Sequence, residues 1–216
     1  MKKVILAFSF SIIASVIAPA QAADDYKKGE VFVGYSNGQV DTGADSGDSA
    51  VDFFRERENF HGVNVSGVYN LNRYFGVKGD VSATYNNSRF NVTDNTGGVF
   101  NTVSIDTDNS LYNFLGGVQG KDNSNSGRFK PFAHALVGGA HVRTKISDIE
   151  CSASPCIIPD LGDAFSDTGF AGAFGGGIDI RLGNRFQIRA IQVDYNPIRV
   201  SGETSHNLRI GAGIVF

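Results

Sequence analysis

The feature that most constrains this chain is an alternation of apolar with small or polar residues at period two, repeated about eight times between turn-rich segments. It is cleanest at the end of the sequence. Leu208, Ile210, Ala212, Ile214 and Phe216 fall on one face, and Asn207, Arg209, Gly211, Gly213 and Val215 on the other. Successive side chains of a strand point to opposite sides of its sheet, so one face is greasy and the other is not. Val77, Gly79, Val81, Ala83 and Tyr85 stand in the same way against Lys78, Asp80, Ser82, Thr84 and Asn86. Two more runs, Val63 to Leu71 and Phe170 to Arg181, repeat the pattern. Shorter ones begin at Val31 and Tyr112, and a less tidy one covers residues 132–144. A seventh run, residues 186–196, loses phase midway: Arg189 and Asp194 have opposite parity, and a β-bulge between them would return both to one side.

Connection lengths point the same way. Segments near 37–59, 87–110 and 146–167 read as long and polar, while those near 72–74 and 183–185 are short. The 121–130 turn is intermediate, and 197–205 reads as a moderate final loop. Residues 52–58 read as a short helix or a strand extension. Short turns on one side and long loops on the other belong to membrane barrels, and an even strand number puts both termini on the short-turn side.

The chain opens with Lys2 and Lys3, an apolar run over 4–18, and Ala20-Gln21-Ala22. That order predicts a secretory signal peptide over 1–22, cleaved after Ala22, with a barrel domain over 23–216. The apolar run is short for a ~30 Å hydrocarbon core, and no second segment is long enough to cross as a helix. A membrane-embedded chain of this kind must therefore close into a barrel, which alone satisfies every strand's backbone in lipid. The expected fold is all-β: a single closed antiparallel transmembrane β-barrel of about eight strands. The rival is a soluble exported barrel of lipocalin type, with the greasy face turned inward. Net charge is −3 overall, and removing the two leader lysines makes it more negative, which argues against a nucleic-acid partner.

The terminal run from Asn207 to Phe216 resembles the last strand of the outer-membrane β-barrel superfamily of small OmpA-type and OmpX-type proteins. In that family a terminal aromatic preceded by alternating apolar residues is the signal read by the barrel-assembly machinery. The resemblance assigns this signal to Ile210, Ala212, Ile214 and Phe216, and implies outer-membrane lipid and that machinery as partners. Arg189 with Asp194-Tyr195 is similar to the family's penultimate strand, and Pro131-Phe132 before Gly138-Gly139 to its middle strand. OmpA itself carries a peptidoglycan-binding domain after its barrel, and this sequence stops at the last strand. Cell-wall anchoring is therefore not expected.

An eight-stranded barrel is filled largely by side chains. Glu30, Lys78, Asp80, Arg143, Asp179, Arg181, Arg189, Asp194 and Arg209 are the candidate lumen charges. Both signs occur, which predicts an interlocking network, because an unpaired buried charge is costly. The aromatics Tyr35, Tyr69, Tyr74, Phe75, Tyr112 and Phe132 are expected in girdles at the bilayer interfaces. Cys151 and Cys156, an even count in an exported chain, are expected to pair and shape a loop tip. His134 and His141, seven apart, fall on opposite faces, and no metal or other cofactor site is expected. Ser205-His206 prompts comparison with lipid A deacylases, but neighbours on a strand face apart and cannot act as nucleophile and base. Gly175-Gly176-Gly177 lacks the strand-to-helix setting and the Lys of a phosphate loop. The reading is a non-enzymatic cell outer membrane protein, an envelope or surface component that meets an extracellular partner through its loops. The alternative is porin-like passage of small solutes, and a lipid-modifying enzyme stands behind both.

Overall fold

A computed structural model describes residues 26–41, 57–96, 99–124, 127–151, 164–183 and 186–216. Eight antiparallel strands follow one another around a closed barrel: β1 (Gly29–Asp41), β2 (Arg57–Asn70), β3 (Phe75–Thr96), β4 (Val99–Lys121), β5 (Phe129–Cys151), β6 (Ala164–Arg181), β7 (Gln187–Val200) and β8 (Glu203–Val215). The ring closes where β1 pairs with β8, with Tyr35 opposite Ala212 and Phe32 opposite Val215. Val31 and Phe216 exchange both backbone hydrogen bonds below that seam. No helix among the described residues is long and apolar enough to cross a membrane, a test that leaves strands untouched.

The alternation resolves the direction of the greasy face. Lys78 is 1 % exposed and its neighbour Val77 50 %. Arg189 and Asp194 are buried, whereas Val81, Phe114, Val137, Phe174 and Ile214 stand open on the outer wall. A soluble barrel would reverse this order, so the lipocalin-type alternative is excluded.

β7 contains the bulge its phase break calls for. Its pairing with β8 shifts between Arg189 and Gln192, and Ala190 and Ile191 both face outward. The extra residue turns Arg189 and Asp194 to the same side.

Several loops expected from the sequence are strand. β3 and β4 run on to Thr96 and Val99, so most of 87–110 is a tall hairpin projecting beyond the barrel wall. β5 likewise continues to Cys151. The supposed loop at 197–205 is only a Ser201-Gly202 turn, with φ of 52° and 91°. Two left-handed residues give a turn whose twist matches that of the flanking strands. Pro197 lies within β7 although it cannot donate to a ladder. Between Ala171–Ile198 and Phe174–Tyr195 the β6–β7 pairing is interrupted, and Asn196 Nδ2 there donates to Gly172 O at 2.5 Å. A side-chain amide supplies the donor that proline lacks. Within 52–58, Arg57 and Glu58 belong to β2, and the rest lies outside the described residues.

Candidate functional site

The barrel interior is the candidate site, and its periplasmic half is a ladder of charges. Lys121 Nζ, from the foot of β4, donates to both oxygens of Glu30 on β1 at 2.9 Å and to Asp179 on β6 at 2.8 Å. Arg189 Nε and Nη2 grip the same Asp179 at 2.8 and 3.1 Å. Gln192 carries the chain of bonds upward, accepting from Arg189 at 2.8 Å and donating to Asp194 at 2.7 Å. Arg209 on β8 then joins Asp194 at 2.7 Å to Asp80 at 2.7 Å. His134 Nε2 lies 2.9 Å from Asp194 Oδ1, and its Nδ1 is 3.3 Å from Lys78 Nζ, which can only donate. The imidazole is thus neutral. Glu30, Asp80, Asp179 and Asp194 then balance Lys78, Lys121, Arg189 and Arg209 one for one. The Arg189 guanidinium is also sandwiched between the rings of Phe32 at 4.4 Å and Phe132 at 4.0 Å. Such stacking suits a planar, weakly hydrated cation.

Glycines let the strands bring these groups together. A Cβ on Gly175 would lie 2.5 Å from Asp194 Oδ1 and 2.1 Å from Val193 O. Only a residue without a side chain fits beside that carboxylate, which explains part of the glycine run on β6.

Toward the external side the lumen changes character. Leu111 and Leu115 on β4, Leu136 and Ala140 on β5, Phe60 on β2, and Ile198 on β7 form one buried apolar cluster, with Ala171 and Ala173 of β6. Three cluster residues lie on the loop side of the polar residue below them, Leu136 beyond His134, Leu115 beyond Gln119 and Ile198 beyond Asp194, while Asn113 stays buried between Leu111 and Leu115. The lumen is therefore not polar throughout, as a general barrel pattern would have it.

The periplasmic mouth is closed as well. The β4–β5 turn folds inward, burying Asn123 and Ser124. Lys130 Nζ donates to the carbonyls of Asp122 and Ser124 at 2.9 and 2.7 Å, and Tyr26 bridges to Ser124. Outside, Arg73 binds Asp122 through Nε and Nη2 at 2.9 and 3.2 Å. That arginine, with the Ser124 backbone N–H, holds the Asp122 carboxyl well below the usual carboxylate range.

Of the nine charges expected in the lumen, Glu30, Lys78, Asp80, Asp179, Arg189, Asp194 and Arg209 are buried there together. Arg143 is not: the odd positions of β5 face outward, and its side chain is exposed on the outer wall. Arg181 stays at the periplasmic rim, half-buried, donating to Gly183 O at 3.2 Å. Lys121 and His134 were missed as ladder members, although extending the phase of Asn113 and Gln119 along β4 reaches Lys121. Phe132, expected in an interfacial girdle, is inside beneath Arg189 for the same parity reason. Tyr35, Tyr69, Tyr74 and Phe75 are exposed on the outer wall, and Tyr112 is half-buried there. Ala212, Ile214 and Phe216 of the terminal run are exposed, and Ile210 is half-buried on the same face. Cys156 and the side chain of Cys151 lie outside the described residues, as does the 1–22 leader.

The other histidines decorate the exterior. His61 bonds Tyr35, and His206 bonds Tyr195 at 2.5 Å. Ser205 instead turns to Asn207 at 2.7 Å, so Ser205 and His206 do face apart. A different serine meets a histidine: Ser166 Oγ is 3.3 Å from His141 Nε2, while Thr168 Oγ1 is 2.8 Å from its Nδ1. No group of metal-ligating side chains gathers among the described residues.

A closed barrel with an apolar wall and a charged interior defines an integral outer-membrane protein. The sequence matches the outer membrane protein beta-barrel domain family over residues 8–216, and the chain belongs to that family. No curated protein matches it. Among solved structures it is similar to Ail, the attachment invasion locus protein of Yersinia pestis, solved with the heparin analogue sucrose octasulfate. Identity there is 19 %, coverage 88 % of this chain and 100 % of that one, and the TM-score 0.50. It is also similar to Neisserial surface protein A, with 12 % identity, 88 % and 96 % coverage and a TM-score of 0.49. For OprG of Pseudomonas aeruginosa the figures are 14 %, 88 % and 96 %, and 0.41.

Proposed function

We propose that this protein is a non-enzymatic envelope component, in which a sealed barrel anchors an external platform that meets partners outside the cell. The observation that carries this reading is the stacking of three closures along one axis: the inward β4–β5 turn, the charge ladder and the apolar cluster. A layer of Leu, Phe and Ile excludes water and so opposes ion passage. The tall β3–β4 hairpin and the end of β5 rise beyond the wall as an ordered surface. There Arg89 clasps Asp106 at 2.5 and 2.6 Å and lies 3.8 Å from Glu150.

Sucrose octasulfate on Ail raises the question of a sulfated glycan partner. Asp106, Asp148 and Glu150 outnumber Arg89 at the top of the described platform, and the sequence between β1 and β2 carries Asp45, Asp48, Asp52 and Glu56 against a single Arg55 over 42–56. Such an acidic balance fits a neutral or basic partner better than a polyanion.

The barrel is taken to be exported with residues 1–22 removed and inserted through the signal at Ile210, Ala212, Ile214 and Phe216. Planar-bilayer recording of the refolded protein tests the sealed lumen: no steady conductance is expected, and steady conductance overturns the reading in favour of a porin. The same preparation, given lipid A vesicles, is expected to release no fatty acid. Release abolished by Ser166→Ala would make Ser166 and His141 a catalytic pair and sink the non-enzymatic assignment.

A further inference from the structure

The outward edge of β5 carries a feature that neither lumen nor platform uses. Three basic residues occupy successive outward positions there: His141, Arg143 and Lys145. His141 lies level with the aromatic girdle, its ring 6.3 Å from that of Tyr112, which meets Tyr85 edge to face at 5.8 Å. Strand rise places Arg143 roughly 7 Å, and Lys145 roughly 14 Å, beyond His141 along the strand. Register sets a hydroxyl on each side of the middle base, with Ser110 of β4 opposite Arg143 on one side and Ser166 of β6 on the other. A hollow of about 450 Å³ opens between Tyr85, Tyr112, Arg143 and Lys145. Arg143 and Lys145 are exposed, and no carboxylate lies within ion-pair distance of either among the described residues. Asp108 stands opposite Lys145 in register as the one acidic neighbour in the hollow among the described residues.

Girdle aromatics mark the depth of lipid headgroups. Two unpaired cations just above them, on a wall continuous with the lipid-facing surface, sit where headgroup phosphates lie. We propose that this face of β5 is a binding site for the phosphorylated headgroup of an outer-leaflet lipid. Arg143 and Lys145 contact the phosphate, Ser110 and Ser166 add hydroxyl donors, and Tyr85 and Tyr112 pack against the acyl-chain end. Arg143 suits a phosphate oxygen pair, since its guanidinium can donate two parallel bonds. The side wall at this depth is occupied by lipid, whereas a soluble partner approaches the loop ends, and that difference selects the lipid.

The test uses the refolded full-length protein in phosphatidylcholine vesicles doped either with diphosphorylated lipid A or with its dephosphorylated form. Lipid retained per barrel after detergent extraction is counted by mass spectrometry. Preferential retention of the phosphorylated form is expected. Arg143→Gln with Lys145→Gln is expected to weaken it roughly 25-fold, at about fivefold for each base near a membrane surface. Asp108→Asn is expected to strengthen retention, a sign that a folding defect would not produce. Equal retention of the two lipids, or indifference to both sets of substitutions, overturns the site. Full competition by free inorganic pyrophosphate overturns the lipid assignment and leaves a soluble phosphate as the occupant.

Discussion

The two halves of the lumen fill the same kind of space with opposite chemistry. The periplasmic half buries charges that pair with one another across strands, and the external half buries mainly leucines, a phenylalanine, an isoleucine and alanines. Both halves keep the barrel solid, but they fail differently. A charge ladder tolerates no missing partner, because the group left behind keeps its desolvation cost and loses its compensation. An apolar layer loses only what the missing methyl groups contributed, plus the cavity they leave. The charged half therefore specifies an arrangement, and the apolar half supplies volume.

Substitutions can break this contrast in order of size. Asp179→Ala leaves Arg189 without a carboxylate and Lys121 with Glu30 alone, and is expected to lower stability by about 3–5 kcal/mol, read as the urea midpoint of the barrel in vesicles. A loss no larger than that of a surface carboxylate would mean that the ladder is not a unit. Leu136→Ala, in the apolar half, is expected to cost about 2–4 kcal/mol while leaving the bilayer electrically silent, since the ladder below still blocks the axis. Conductance from that variant alone would show that the apolar layer is the sole seal. Gly175→Ala sharpens the comparison from the backbone side. Its new methyl would push Asp194 from Arg209 and Gln192, at a cost of roughly 1–3 kcal/mol typical of overpacking.

The smallest effect belongs to the periplasmic rim. Arg73 depresses the folded-state pKa of Asp122, so the clamp's contribution is full above about pH 4 and is lost as pH falls below it. Both partners are over two-fifths exposed, which keeps the effect within about 1 kcal/mol. Amide protection at Asn123 and Ser124 is expected to drop from pH 5 to pH 3, and Asp122→Asn is expected to abolish that drop. Unchanged protection would make the clamp irrelevant to closing the mouth.

Legibility followed the same division. Strand identity, strand number and the division of each strand into a greasy and a polar face could be read from parity, because the period of a strand is set by its backbone alone. The phase break in β7 was legible too, and the register with β8 supplied the bulge that resolves it. Loop lengths were less legible. The hairpin at 87–110 is rich in Asn, Asp and Ser and reads as coil, yet backbone pairing with β3 and β5 holds β4 in strand well beyond the membrane.

Sequence alone, then, determined that this chain forms a barrel whose strands each carry one greasy and one polar face, and the burial of the polar face in the folded ring made it a membrane barrel. The sequence also nominated which charges could lie inside. Only the tertiary structure decided their partners: Lys121 meets Glu30 from 91 residues away, and Arg209 meets Asp80 across 129. Strand tilt and stagger determine which inward residues share a level, and that geometry belongs to the closed ring, not to any one strand.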